Sequence, residues 1–110
     1  MVKDYLFLVP VINNENTWKT DENNIVVIMK EKNSIFEKIF FKKKTREKKE
    51  IELDSYGSFV WRKINGKKTI SEIIDEIVNE MGEEKETASK RATIFFEMLR
   101  VHRLIEFIKN

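Results

Sequence analysis

His102 is the single imidazole of this 110-residue chain, and the chain contains no cysteine. Without a thiol there is no thiolate nucleophile, no disulfide and no Cys-ligated zinc or iron–sulfur cluster, and with one His metal chemistry is all but excluded. Serine, threonine and tyrosine hydroxyls are present, but no His stands near a Ser motif to activate one. The three Gly are too few for a phosphate-cradling loop. His102 itself sits alone at the end of a helical pattern, where an imidazole serves as a cap or faces the helix dipole. These residues predict no catalysis of their own, no metal and no organic cofactor. What remains is recognition through backbone edges, apolar flanks and charge.

The elements that would position such a surface follow from composition and periodicity. Hydrophobic residues make up 41% of the chain, with eight Phe and two Trp, enough for one modest core, so one domain over 1–110 is expected. Basic and acidic residues number 21 and 19, a net charge of +2 that singles out no partner and lacks the lopsided balance of a dedicated nucleic-acid binder. The apolar run Tyr5–Ile12 is interrupted by Pro10 and is far short of the roughly 20 residues of a membrane span. No small-residue cleavage site follows it. The expectation is a soluble cytoplasmic protein without membrane contact, in which residues 1–16 form an extended N-terminal arm.

Residues 17–53 read as a small antiparallel sheet. Thr17–Asp21 and Ile25–Lys30 flank Glu22-Asn23-Asn24 as a hairpin, and the unbroken apolar run from Ile25 predicts a strand covered on both faces or one central in a small sheet. Ile35, Phe36, Ile39 and Phe40 fall at helical spacing after Asn33-Ser34, and a solvated basic insertion follows at 42–49. Glu50-Ile51-Glu52-Leu53 alternates strictly, as a strand with one wet face does. Residues 54–110 read as three helices. The first is capped by Asp54, carries a stripe of Leu53, Gly57, Val60 and Ile64, and ends at Asn65-Gly66. The second opens on the capping box Thr69/Glu72, buries Ile70, Ile73, Ile74, Ile77, Val78 and Met81, and stops at Gly82. The third runs from about Glu86 to His102. Leu104–Ile108 closes the fold as a strand or extended tail. The fold class is α+β, winged helix-turn-helix-like, a three-stranded antiparallel sheet followed by three helices.

Two surfaces stand out. On the third helix, Ala88, Ala92, Phe95 and Leu99 form the stripe expected in the core, while Ser89, Thr93, Glu97 and Arg100 face water. Ile94, Met98 and Val101, with Arg91, are left on a surplus apolar flank that the sheet, the arm or a bound peptide must cover. The third strand of the sheet is an edge whose unpaired backbone groups can accept an extended peptide. Glu50 and Glu52 there, flanked by Lys48 and Lys49, serve either as guards against stray pairing or as selectors of a bound peptide's charge. The basic insertion could touch phosphate, but Glu72, Asp75, Glu76 and Glu80 make the second helix acidic, which opposes a nucleic-acid backbone.

The segment Leu53-Asp54-Ser55-Tyr56-Gly57-Ser58-Phe59-Val60-Trp61-Arg62-Lys63-Ile64-Asn65-Gly66, continued by Lys67-Lys68-Thr69-Ile70-Ser71-Glu72-Ile73-Ile74 and preceded by Tyr5, Pro10, Asn13 and Trp18, resembles the PqqD-like family. That family comprises small peptide-binding chaperones, the recognition elements for ribosomally made, later modified (RiPP) peptides. The resemblance implies the same fold and a groove between the third strand and third helix, mapping onto Lys49, Glu50, Ile51, Glu52 and Leu53 and onto Arg91, Ile94 and Met98. It also implies two partners, a precursor leader peptide and a modifying enzyme of the radical S-adenosylmethionine class. One departure is that His102-Arg103 stands where the family commonly ends the third helix on Gly. The competing classes are a winged-helix nucleic-acid-binding regulator and a domain for protein association alone.

Overall fold

The computed structural model describes residues 3–13, 17–29 and 49–109. In chain order it has a 3₁₀ turn (Lys3–Phe7), β1 (Leu8–Ile12), β2 (Thr17–Asp21), β3 (Asn24–Met29), β4 (Lys49–Glu52), α1 (Ser55–Lys63), α2 (Ile70–Met81), α3 (Lys85–Val101) and β5 (Ile105–Lys109). The sheet β2-β3-β4 with three helices after it is the α+β arrangement expected, with β3 central and Ile25, Val26 and Val27 all buried. A second sheet was not anticipated. The N-terminal arm supplies β1, which pairs antiparallel with β5, Leu8 opposite Lys109 and Ile12 opposite Ile105. The helix expected over Ile35–Phe40 and the basic insertion lie outside the described residues, except Lys49, which opens β4.

The β2–β3 register sets Asp21 opposite Asn24 and leaves Glu22-Asn23 as a two-residue turn, both at positive φ (50° and 90°), the geometry that matches strand twist. Glu22 thus enters the left-handed region as well as the asparagine. Arg62 steadies the turn by donating from Nη2 to the Asn23 carbonyl at 2.8 Å.

Each helix boundary has a local cause. Asp54 caps α1 by accepting from the Gly57 N–H at 2.7 Å. The helix ends one step earlier than expected. Ile64 is already extended, and the Asn65 carboxamide accepts from the Lys67 and Lys68 N–H groups, leaving only Gly66 at positive φ. The capping box of α2 is complete, and Gly82 terminates it at φ 69°. Met81, assigned to the buried face, is exposed instead. Where α3 lacks a terminal Gly, Arg103 takes φ 61°. Its N–H bonds to the Arg100 carbonyl at 3.0 Å and that of Leu104 to the Leu99 carbonyl at 2.9 Å, a Schellman closure built on a non-glycine residue. The arm supports that closure, since Asn13 donates from its side chain to the Arg103 carbonyl and from its backbone to the Leu104 carbonyl.

Trp61, Phe96, Leu99, Leu104 and the α2 isoleucines fill the core. Phe96, not Phe95, completes the buried stripe with Ala88, Ala92 and Leu99. The two rings are neighbours on the helix, and Phe95 is drawn to the margin of the core by α1, as described below. Among the described residues no helix is long and apolar enough to cross a membrane.

Candidate functional site

β4 is an edge of its sheet, and the ladder decides which of its backbone groups are unused. In an antiparallel pair, alternate residues turn both N–H and C=O to the same neighbour. Leu53 donates its N–H to the Ile25 carbonyl at 2.8 Å, and the register pairs Ile51 with Val27 and Lys49 with Met29. The odd-numbered residues therefore spend their groups on β3. Glu50 and Glu52 turn theirs the other way, where no strand lies among the described residues. Their side chains are exposed, whereas Ile51 is half-buried and Leu53 buried, so the expected alternation of wet and core faces holds along the strand.

The end of β4 is fastened by a side chain. Ser58, buried on α1, accepts the Ile25 N–H at 2.8 Å and donates to the Leu53 carbonyl at 3.2 Å, so a hydroxyl replaces the last direct rung between the strands. Next to it, Gly57 lets α1 approach both sides of the site. A Cβ there would lie 2.9 Å from Phe95 Cε1 and 3.3 Å from Leu53 Cβ. The first turn of α1 thus abuts the end of β4 on one side and α3 on the other, and this contact holds Phe95 at the core margin.

Tyr56 sits in the same turn. Its ring meets Phe95 edge-on at 6.1 Å, and the Arg91 guanidinium carbon lies 3.9 Å from the ring centroid while its head pairs with Glu83. The hydroxyl is buried with no hydrogen-bond partner among the described residues. Burial first, and the Glu83 carboxylate second, push the phenol up to about 12, against the opposing charge of Arg91.

From Arg91 a line of side chains at helical spacing continues along α3 through Ile94 and Met98. Ile94 is 72% exposed, Val101 65% and Met98 37%, so the described residues of the arm and the sheet leave this apolar flank open. The arm covers part of the face expected in water. Tyr5 Oη donates to Glu97 Oε2 at 3.2 Å, and Glu97, held below the usual carboxylate range chiefly by its hydrogen bonds from Arg100, is only half-exposed.

Of the residues singled out in the sequence, Glu50 and Glu52 carry the free edge, Ile51 faces the core side, and Leu53 is buried with both backbone groups engaged. Arg91, Ile94 and Met98 share one line on α3. Gly57, Ser58 and Tyr56 join the two halves. Of these the sequence placed Gly57 on the stripe of the first helix, and gave Ser58 no role beyond the family-like segment. A hydroxyl between Gly57 and the apolar Phe59-Val60-Trp61 was the one signal of the role of Ser58.

Residues 26–105 match the family model described as coenzyme PQQ synthesis protein D (PqqD). The fold is similar to that of the solved structure of TbiB1 in complex with the TbiA(beta) leader peptide, with a TM-score of 0.66 and 19% sequence identity over 87% of this chain and 94% of that one. A comparison with curated protein sequences gives no significant match.

Proposed function

The chain belongs to the PqqD family, and from that premise we propose that it is a non-catalytic chaperone which binds the leader of a ribosomally made precursor and presents it to a separate modifying enzyme. The observation that carries this reading is an open strand edge, Glu50 and Glu52, together with an uncovered apolar flank, Ile94 and Met98, on the helix whose Arg91 and Phe95 meet the first turn of α1. A peptide added to β4 would gain main-chain hydrogen bonds from the edge and bury side chains against the flank, the two ingredients of β-augmentation. Lys49, Ile51, Leu53 and Arg91 complete the proposed site. Lys49, Ile51 and Leu53 fix the edge, and Arg91 stands over Tyr56 at the head of the flank. That TbiB1 holds a leader peptide on a similar fold supports the reading. The whole chain acts as one peptide-binding unit, and its working compartment is the cytoplasm, where a ribosomal product first meets its enzyme. A radical S-adenosylmethionine enzyme is the proposed acceptor.

The test is an NMR titration of the ¹⁵N-labelled chain with candidate precursor peptides. Amide shifts centred on Glu50, Glu52 and the Ile94–Met98 segment are expected. Sequence-specific duplex DNA binding that persists at physiological salt, with β4 unperturbed by any peptide, would overturn the proposal in favour of a regulator.

A further inference from the structure

The parity of β4 constrains the composition of what can dock on it. Among the described residues, Glu50 and Glu52 alone on β4 have unspent backbone groups, so a strand added there must hydrogen-bond to them, and its residues in register with them carry their side chains to the same outer face as the two carboxylates. The intervening residues of the added strand point to the other face, the side of Ile51 and the core. No described residue forms an ion pair with Glu50 or Glu52. Their cross-strand neighbours on β3 are Ile28 and Val26, which are apolar.

Building on the peptide-binding reading, we infer that this edge selects an extended peptide in which basic residues alternate with apolar ones: Lys or Arg beside Glu50 and Glu52, aliphatic residues turned inward. Opposite charges directly across a strand pair are stabilising and like charges are not. The same rule disfavours a second copy as occupant. Two β4 edges could join only through their free parity, which sets the Glu50 and Glu52 carboxylates of one copy against those of the other on one face. The guard against self-pairing and the selector of the ligand are then one pair of side chains.

Three blocked decapeptides test this on the ¹⁵N-labelled full chain: one alternating Lys and Val, one alternating Glu and Val, and one with the same Lys and Val residues gathered into two blocks. The alternating Lys–Val peptide is expected to shift the Glu50 and Glu52 amides and to bind about tenfold more tightly than the Glu–Val peptide. The Glu50→Lys, Glu52→Lys double variant should invert that preference with the rest of the spectrum unchanged. Equal affinity of the alternating Lys–Val and Glu–Val peptides, with shifts still at β4, would overturn charge selection and leave the peptide-binding reading standing. Equal affinity for the blocked and alternating Lys–Val peptides would reduce the effect to bulk charge and likewise overturn it. If neither these peptides nor candidate precursors move the β4 amides, the peptide-binding reading itself falls.

Discussion

Ser58 and Tyr56 are neighbours in one turn with opposite relations to their polar atoms. The Ser58 hydroxyl satisfies a donor on β3 and an acceptor at the end of β4, so Ser58→Ala leaves the Ile25 N–H and the Leu53 carbonyl short of a partner in the core. A loss of about 2–3 kcal/mol is expected in urea unfolding, with an unchanged m-value. Tyr56 buries a hydroxyl that no described residue accepts from. Tyr56→Phe removes that unsatisfied group but keeps the ring under Arg91 and against Phe95, and should raise stability at pH 7 by up to about 1 kcal/mol. The variant also tests the phenol's titration. A folded-state value of about 12, above the unfolded value of 10.0, means the folded chain holds this proton more tightly. The resulting stability is fully present below pH 10.0 and is lost as pH rises from there to about 12. Tyr56→Phe should flatten the fall in melting temperature across that window. A wild-type slope retained in the variant would show that another group carries it.

At the scale of elements, the ladder assigns proline substitutions on β4 to different outcomes. Glu50→Pro removes an N–H that β3 does not use, so the domain should melt within a few degrees of the parent while peptide binding is abolished. Ile51→Pro removes a rung to Val27 and should destabilise the sheet, beyond the effect of an Ile51→Ala control that accounts for lost burial. On α3, Ile94→Glu and Met98→Glu alter exposed positions. Each should leave the melting temperature nearly unchanged and weaken leader binding by about 1–3 kcal/mol by calorimetry, since a carboxylate must be desolvated in an apolar contact. Unfolding of either variant would assign the flank to the core. Much of this level was legible in sequence. The Thr69/Glu72 box, Gly82 and the alternation from Glu50 to Leu53 act through near neighbours in the chain, and spacing alone exposes them. Phe95 and Phe96 were not separable in that way, because the choice between them rests on Gly57 of another helix. Nor was the edge parity, since alternation is the same whichever side of a strand its partner occupies.

Over the whole molecule, what sequence reading missed is what long separation hides. β1 joins β5 across most of the chain, and Asn13 reaches the turn after α3. An extended arm was legible in the Pro10-interrupted run, but its partner was not, because both strands are short and neither carries a local pairing signal. This closure sets an order in time. Making it first would mean closing a loop of roughly a hundred residues, at a chain-entropy cost on the order of 4 kcal/mol. Once the helices have packed, the same ends stand close together. The β1–β5 ladder should therefore form after the rate-limiting step of folding. Val9→Ala, at a buried β1 position, should speed unfolding while leaving the refolding rate unchanged in stopped-flow traces. A slowed refolding limb would put the arm in the nucleus instead. Under this order Leu8-Val9-Pro10-Val11-Ile12 is synthesised long before its partner strand and waits unpaired through most of folding. Pro10, having no N–H, withholds a donor from the middle of that waiting strand, so stray edges find a broken template during the interval when aggregation is the main hazard.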